Sequence, residues 1–289
     1  MTKPNLVLPE VPVWVIVVAA LVLAVGGLSL GIAGGAALGA ATLVALTALG
    51  PRVRAIAGRE LRALFLSPVA YVIISVYLGL VSVLWWLLTV GPYAQTTYRP
   101  IASNMHVFLM FVLPAISMRV IADERRTRTL EVLVTQPVRD YEIILGKWLA
   151  CVALLAIMLA GTLHFYLQMH FWGEGDLANG PVLTAYLGLL LTGMLYLSIG
   201  VFFSSITENQ VVAALLTFVV VICMYFIRFL GDNATSPFWQ EALHNASTFY
   251  HFDDFSKGVL DTSHVVYCLA ASFGFLFMSV RSLESRTWG

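Results

Sequence analysis

Residues 182–230 read VLTAYLGLLLTGMLYLSIGVFFSSITENQVVAALLTFVVVICMYFIRFL. Residues 182–204 hold no charge. A four-residue polar turn follows, Thr207-Glu208-Asn209-Gln210, and a second apolar run fills 209–230. The one internal charge of that run, Arg228, sits near its end, where a long side chain can snorkel to an interface. The runs are continuous rather than alternating, which predicts helices and disfavours a β-barrel. A backbone that crosses lipid must satisfy its own hydrogen bonds, so two membrane-spanning helices joined by a tight turn are expected. Thr207 followed three residues later by Gln210 fits a capping box that stops one span and starts the next.

The same pattern extends in both directions. Further spans are predicted at about 69–90, 102–121, 148–170 and 264–280. Residues 11–49 are also free of charge. As one helix they would be roughly 58 Å long against a hydrocarbon core of about 30 Å. They must fold back, with Gly26, Gly27 and Gly31 marking the turn. A cleaved signal peptide fits worse, because Lys3 alone marks a basic leader and the run is too long. The count is eight helices.

Composition agrees. Of 289 residues, 60% are hydrophobic and 11% charged, with mean hydropathy +0.87. Soluble domains carry about 25% charge, so a soluble enzyme is excluded, and so is a disordered chain. Sixteen basic residues cancel sixteen acidic ones, which removes the basic excess of a nucleic-acid binder. Cys151, Cys223 and Cys268 lie in apolar runs and read as small buried residues, with no metal spacing.

Lysine and arginine set the orientation. With the N-terminus inside, Lys3, Arg52, Arg54, Arg59, Arg62, Arg119, Arg125, Arg126, Arg128, Arg139, Lys147, Arg281 and Arg286 are cytoplasmic, 13 of the 16. Arg99, Arg228 and Lys257 are outside. Both termini are then cytoplasmic. No Asp, Glu, Lys or Arg lies near the middle of a span, which argues against an ion-coupled carrier. His164 is taken as the deepest titratable group, and a packed or hydrogen-bonded neutral imidazole is favoured over a proton relay. Gly146-Lys147-Trp148 lacks the rest of a P-loop. No catalytic constellation converges, so the chain is expected to be a non-catalytic subunit.

Two cytoplasmic segments carry information. In 52–66, Val53, Ile56, Ala57, Leu61, Leu64 and Phe65 recur at helical spacing, while Arg52, Arg59 and Arg62 fall largely on another face. This reads either as an amphipathic interfacial helix or as the basic flank of a span. The loop 119–147 holds eleven charges. Asp123 to Val134 is helix-compatible, Pro137 interrupts it, and Asp140 can cap the next helix with Glu142 in its first turn. Its charges serve either a solvated face or a docking surface.

Leu113-Pro114-Ala115-Ile116-Ser117-Met118-Arg119, Asp123-Glu124, Thr129-Leu130-Glu131, Gln136-Pro137 and Gly146-Lys147 resemble the ABC-2 type permeases. Glu60-Leu61, Ser67-Pro68-Val69-Ala70-Tyr71, the 207–210 turn, and Phe252-Asp253-Asp254-Phe255 with Gly258-Val259 agree. The likeness spans about residues 55–288 and is strongest to the gliding-motility-associated permease GldF, with NosY-like permeases more distant. It implies an all-α polytopic membrane protein with a six-span core over 69–289. To this are added the N-terminal hairpin (1–50) and the interfacial helix (51–68). It also implies a separate ABC ATPase dimer, carrying ATP and Mg, docked on the loop 119–147. Arg125, Arg126, Arg128, Thr129 and Glu131 are the expected docking residues. A second permease copy or relative, and a GldG-like outer-domain subunit, are further implied partners in a bacterial inner membrane. The family has Gly where Arg128 stands, so the ATPase surface must accommodate a larger, charged group.

The outer segment 231–263 contains Asp232, Glu241, His244, His251, Asp253, Asp254 and Asp261, with His264 just beyond. The spacing is weak for a metal and lacks soft ligands for copper(I), so no metal site is expected. The favoured reading is a partly re-entrant, amphipathic hairpin with Phe249, Tyr250, Phe252 and Phe255 resting on the outer interface as anchors.

Overall fold

The computed structural model describes residues 50–89, 97–126, 139–172 and 179–285. The predicted hairpin at 11–49 lies outside the described residues. The described residues form helices and no strands. In chain order these are α1 (Pro51–Leu66), α2 (Pro68–Thr89), α3 (Arg99–Ser117), α4 (Ala122–Arg126), α5 (Asp140–Trp172), α6 (Asn179–Ile206), α7 (Gln210–Asp232), α8 (Pro237–Ala246), α9 (Thr248–Ser256) and α10 (Thr262–Glu284). Six are long and apolar enough to cross a membrane: α2, α3 with its continuation to Glu124, α5, α6, α7 and α10. The six core spans read from the sequence correspond to these, and the chain is an all-α, multi-pass membrane protein. The helix of the third core span extends from Asp140, ahead of the apolar stretch at 148–170, and Lys147 in that extension finds buried partners.

Helix α6 is the centre of the bundle. Of its apolar stretch 72% is buried, against 61% for α3 and α5 and only 11–28% for α2, α7 and α10. Helices in lipid gain little from the hydrophobic effect against one another, so close approach through small residues matters more. Gly188, Gly193 and Gly200 of α6 provide it toward α9, α5 and α3 respectively. A Cβ at Gly188 would lie 2.7 Å from Phe255 Cβ. The peripheral helices turn apolar side chains outward, including Val83 and Trp86 of α2, Leu215 and Phe226 of α7, and Phe273 and Phe277 of α10. These are faces suited to lipid or to another membrane helix.

The bundle has two chemically distinct ends. One carries Arg59, Arg119, Lys147 and Arg281 and is called the basic end. The other carries Asp232, Asp253, Asp254 and Asp261 and is called the acidic end. At the acidic end Ser247 separates α8 from α9 and caps α9, its Oγ accepting from Tyr250 N. The anchoring of Phe252 and Phe255 on the outer interface is corrected here. Phe252 and Phe255 are fully buried against the bundle. Phe252 lies 4.3 Å from the His106 ring, centroid to centroid, and Phe249 lies under Arg228 at 4.9 Å. The exposed aromatics are Phe238 and Trp239 of α8. Alternation of outward and inward aromatics cannot be read from 247–256 without knowing which face meets α6.

The depth read for His164 is also corrected. His164 is exposed, its Nδ1 2.5 Å from Gly161 O of its own helix. His106 is fully buried. Its Nε2 lies 2.9 Å from Tyr196 Oη, which in turn lies 3.0 Å from Thr248 Oγ1. That chain fastens α3, α6 and α9 together at the acidic end.

Candidate functional site

The richest polar assembly at the basic end is built on Lys147, two turns into α5. Its side chain is 3% exposed. Nζ donates to Val120 O at 2.9 Å and to Glu124 Oε1 at 2.8 Å, and lies 3.4 Å from Glu60 Oε1. An ammonium has three protons and no acceptor, and here three oxygens surround it. Arg59 Nη2 donates to the same Glu60 oxygen at 3.2 Å. Two carboxylates therefore face two cations. A buried charge persists only with such partners. Lys147 thereby joins α1, the end of α3, α4 and α5 in one cluster.

Helix α1 reaches this cluster because Gly146 has no side chain. A Cβ there would lie 2.7 Å from Ile56 Cγ2 and 2.8 Å from Ile56 Cβ. Val53 and Leu61 are buried, and Ile56, Ala57, Leu64 and Phe65 are partly so. The apolar spacing read from the sequence thus marks a face that packs largely on α5. At its start, Arg52 Nη1 lies 3.7 Å from Glu142 Oε2. That same oxygen accepts from Arg139 N at 2.9 Å. Glu142, rather than Asp140, therefore caps α5, because it sits three residues after Arg139 and can reach back to the free N–H. Asp140 is the first helical residue.

Helix α4 is held from two further sides. Ser204 Oγ of α6 accepts from Ile121 N at 3.0 Å and Ala122 N at 2.9 Å, and donates to Met118 O at 3.1 Å. It satisfies the backbone where α3 ends and α4 begins. Gln210 Nε2 of α7 donates to Asp123 Oδ1 at 2.5 Å. The capping-box reading of Thr207 and Gln210 is corrected accordingly. Asn209 is the cap, its Oδ1 accepting from Val211 N. Thr207 Oγ1 donates back to Phe203 O, and Gln210 is drawn away to α4.

Arg125 and Arg126 form the last residues of α4. Arg128, Thr129 and Glu131 lie outside the described residues. Arg52, Arg59 and Arg62 all lie exposed on α1, and of these Arg59 alone joins the Lys147 cluster. Gly146-Lys147, Glu60 and Glu124 are separate points of resemblance in the sequence, and nothing local to them reveals that they meet. The available signal was a lysine directly after glycine at the start of an apolar run, a position where an unpaired charge would be costly.

The model of the ABC-2 family transporter proteins matches residues 93–237, from ahead of α3 to the start of α8. The chain belongs to the ABC-2 transporter family. No curated protein matches it. As an ABC-2 permease it is a membrane component of an ABC transporter, a family whose membrane subunits work with an ABC ATPase. Within that match lie α4, Lys147, Ser204 and Gln210, so most of the basic-end assembly falls inside the family's domain. Glu60 and Arg59 of α1 fall before it.

Proposed function

We propose that this ABC-2 permease couples ATP hydrolysis by a separate ATPase dimer to export of a substrate, with the basic end cytoplasmic and α4 with residues 127–139 as the docking element. Arg125, Arg126, Arg128, Thr129 and Glu131 make the contact. The observation that carries this reading is the position of α4. It is tied to α5 through Glu124–Lys147, to α6 through Ser204 and to α7 through Asp123–Gln210. A push on α4 therefore reaches three spans and, through Glu60, helix α1. ATP and Mg belong to the partner chain. The membrane is a bacterial inner membrane with both termini cytoplasmic, and Arg52, Arg59 and Arg62 face its headgroups. A GldF-like assembly adds a second permease and an outer-domain membrane subunit.

Purification from the native membrane with identification of co-purifying chains tests this. An ATPase retained by the wild type and lost in Glu131→Arg and Arg126→Glu supports the docking assignment. Undiminished co-purification and ATP hydrolysis in both variants contradict it.

A second reading is supported by the placement of charge. Among the described residues Lys147 and Glu142 are the buried Asp, Glu, Lys or Arg side chains and sit in the first turns of α5 at the basic end, and no Asp, Glu, Lys or Arg lies in the middle of a described span. A subunit that transmits force to a partner at the acidic end needs no polar path. Substrate uptake into inside-out vesicles with and without ATP separates transport from force transmission.

A further inference from the structure

Helices α8, α9 and α10 meet at a line of four polar groups. His251 Nε2 lies 3.0 Å from the backbone oxygen of Asn245. His251 Nδ1 lies 2.6 Å from His264 Nδ1. His264 Nε2 lies 3.0 Å from Asp254 Oδ2. Both rings are nearly inaccessible. Tyr267 stacks on His251 at 3.9 Å, and its hydroxyl donates to Ala246 O at 2.9 Å.

Counting protons decides the state of this line. A carbonyl oxygen and an ionised carboxylate only accept. The two ends of the line are therefore acceptors, and three links separate them. Each link needs one proton, so two imidazoles must hold three. Two neutral imidazoles hold two. With two protons one link is empty, and facing lone pairs on the Nδ1 atoms are the natural casualty. With four protons, two N–H groups collide at the 2.6 Å contact and two cations face each other.

A metal ion does not explain the geometry. Two nitrogens bound at about 2.0–2.1 Å in a tetrahedral site stand about 3.3 Å apart, well beyond 2.6 Å. Asp254 also touches the opposite nitrogen of His264, where it cannot share an ion with the Nδ1 pair.

We propose that His251 and His264 share one excess proton, and that this proton latches α8 and α9 onto the start of α10 as a pH-sensitive fastening of the acidic end. His251 is the neutral, Nε2-protonated partner, and His264 donates from both nitrogens. Burial, ahead of the repulsion from His264, holds His251 below the ordinary imidazole range against the opposing pull of the Asn245 carbonyl.

The surrounding charges favour one cation and no more. From α9, Asp254 accepts from His264 and pairs through its other oxygen with Lys257 at 3.0 Å. Asp253 is occupied by Lys257, by Arg99 at the start of α3 and by Arg228 of α7. Tyr250 of α9 packs edge-on to both His251 and His264, and His244 of α8 lies beyond it, paired with Asp232. From α10, Asp261 caps its own helix through Ser263 N, while Tyr267 and Cys268 are uncharged.

The latch has a structural reach. Helix α9 carries Phe252 and Phe255 into the bundle, and Thr248 closes the His106–Tyr196 chain. Loss of the shared proton removes one of the ties that keep α9 seated, and gain of a second proton does the same. The contribution to stability is therefore greatest at intermediate pH and falls on both sides, as for any coupled pair that is satisfied by a single proton.

The test uses the full-length chain in lipid nanodiscs, labelled with ¹⁵N-histidine. The expected spectrum near pH 6 contains one doubly protonated imidazole and one neutral Nε2–H imidazole that vanish together as a coupled pair in His264→Gln. The thermal midpoint is expected to pass through a maximum between about pH 5 and 8, and His251→Gln and His264→Gln each abolish that maximum. Two neutral rings throughout this range overturn the proposal on wild-type protein alone, even if neither variant folds. So does a pH course of the thermal midpoint shared by all three proteins.

Discussion

Lys147 Nζ and Glu124 Oε1 are 2.8 Å apart, which places a buried ammonium of α5 against a carboxylate of α4. The pair turns a short helix beside the membrane into a handle on a central span. It also explains why a charge is tolerated at that depth, since Val120 O and Glu60 complete its shell.

Replacing Lys147 by Met removes the buried cation that Glu60 and Glu124 share. Breaking a buried pair costs about 3–5 kcal/mol. The low end, about 3 kcal/mol, is expected, because Glu60 and Glu124 retain some access to water. Denaturant unfolding in mild detergent measures it. Glu124→Gln is expected to cost more than Glu60→Gln, since its contact is shorter.

Gly146→Ala tests the seat of α1. The added methyl meets Ile56 within van der Waals contact, and overpacking costs about 1–3 kcal/mol. Gly79 of α2 has nothing near its missing Cβ. Gly79→Ala is therefore expected to be neutral, or stabilising by about 1 kcal/mol through helix propensity. Thermal midpoints of the two variants side by side check the contrast.

Ser204→Ala strips the acceptor from Ile121 N and Ala122 N. A buried donor left unpaired costs about 1–3 kcal/mol. The α3–α4 turn is expected to loosen, with faster amide exchange at 118–123 and weaker coupling of ATP hydrolysis to the permease. Exchange mass spectrometry reads the first and reconstituted hydrolysis the second.

Most of the fold was legible because apolar length and continuity are properties of the sequence itself. The span at 182–204 falls inside α6, that at 209–230 matches α7 together with its cap Asn209, and the apolar face of 52–66 is the face α1 buries. The site was less legible because its residues meet through space. Glu60, Glu124 and Lys147 are far apart in the chain, and Gln210 fits a local capping pattern that a stronger partner, Asp123, overrides. Phe252 and Phe255 failed as interfacial anchors for the same reason: an aromatic residue reads alike whether it meets lipid or α6.

Acid is expected to loosen the acidic end. Burial alone would raise the Asp253 carboxyl, but hydrogen bonds from Lys257 and Arg99 outweigh it and hold it below its ordinary 3.8. A carboxylate depressed in the folded state contributes stability above its unfolded value and loses it as pH falls through the folded one. The wild type should therefore lose stability below about pH 4 through this group. Asp253→Asn should lack that component, which acid titration of tryptophan fluorescence checks.

The central claim, that the α4 end of this permease grips an ATPase, is tested most directly by photo-crosslinking in the native membrane. A photoreactive residue at Arg125 is predicted to capture a nucleotide-binding ATPase, while one at Trp239, at the opposite end, captures none. An ATPase captured from position 239, or from neither position while it still co-purifies, would contradict the account.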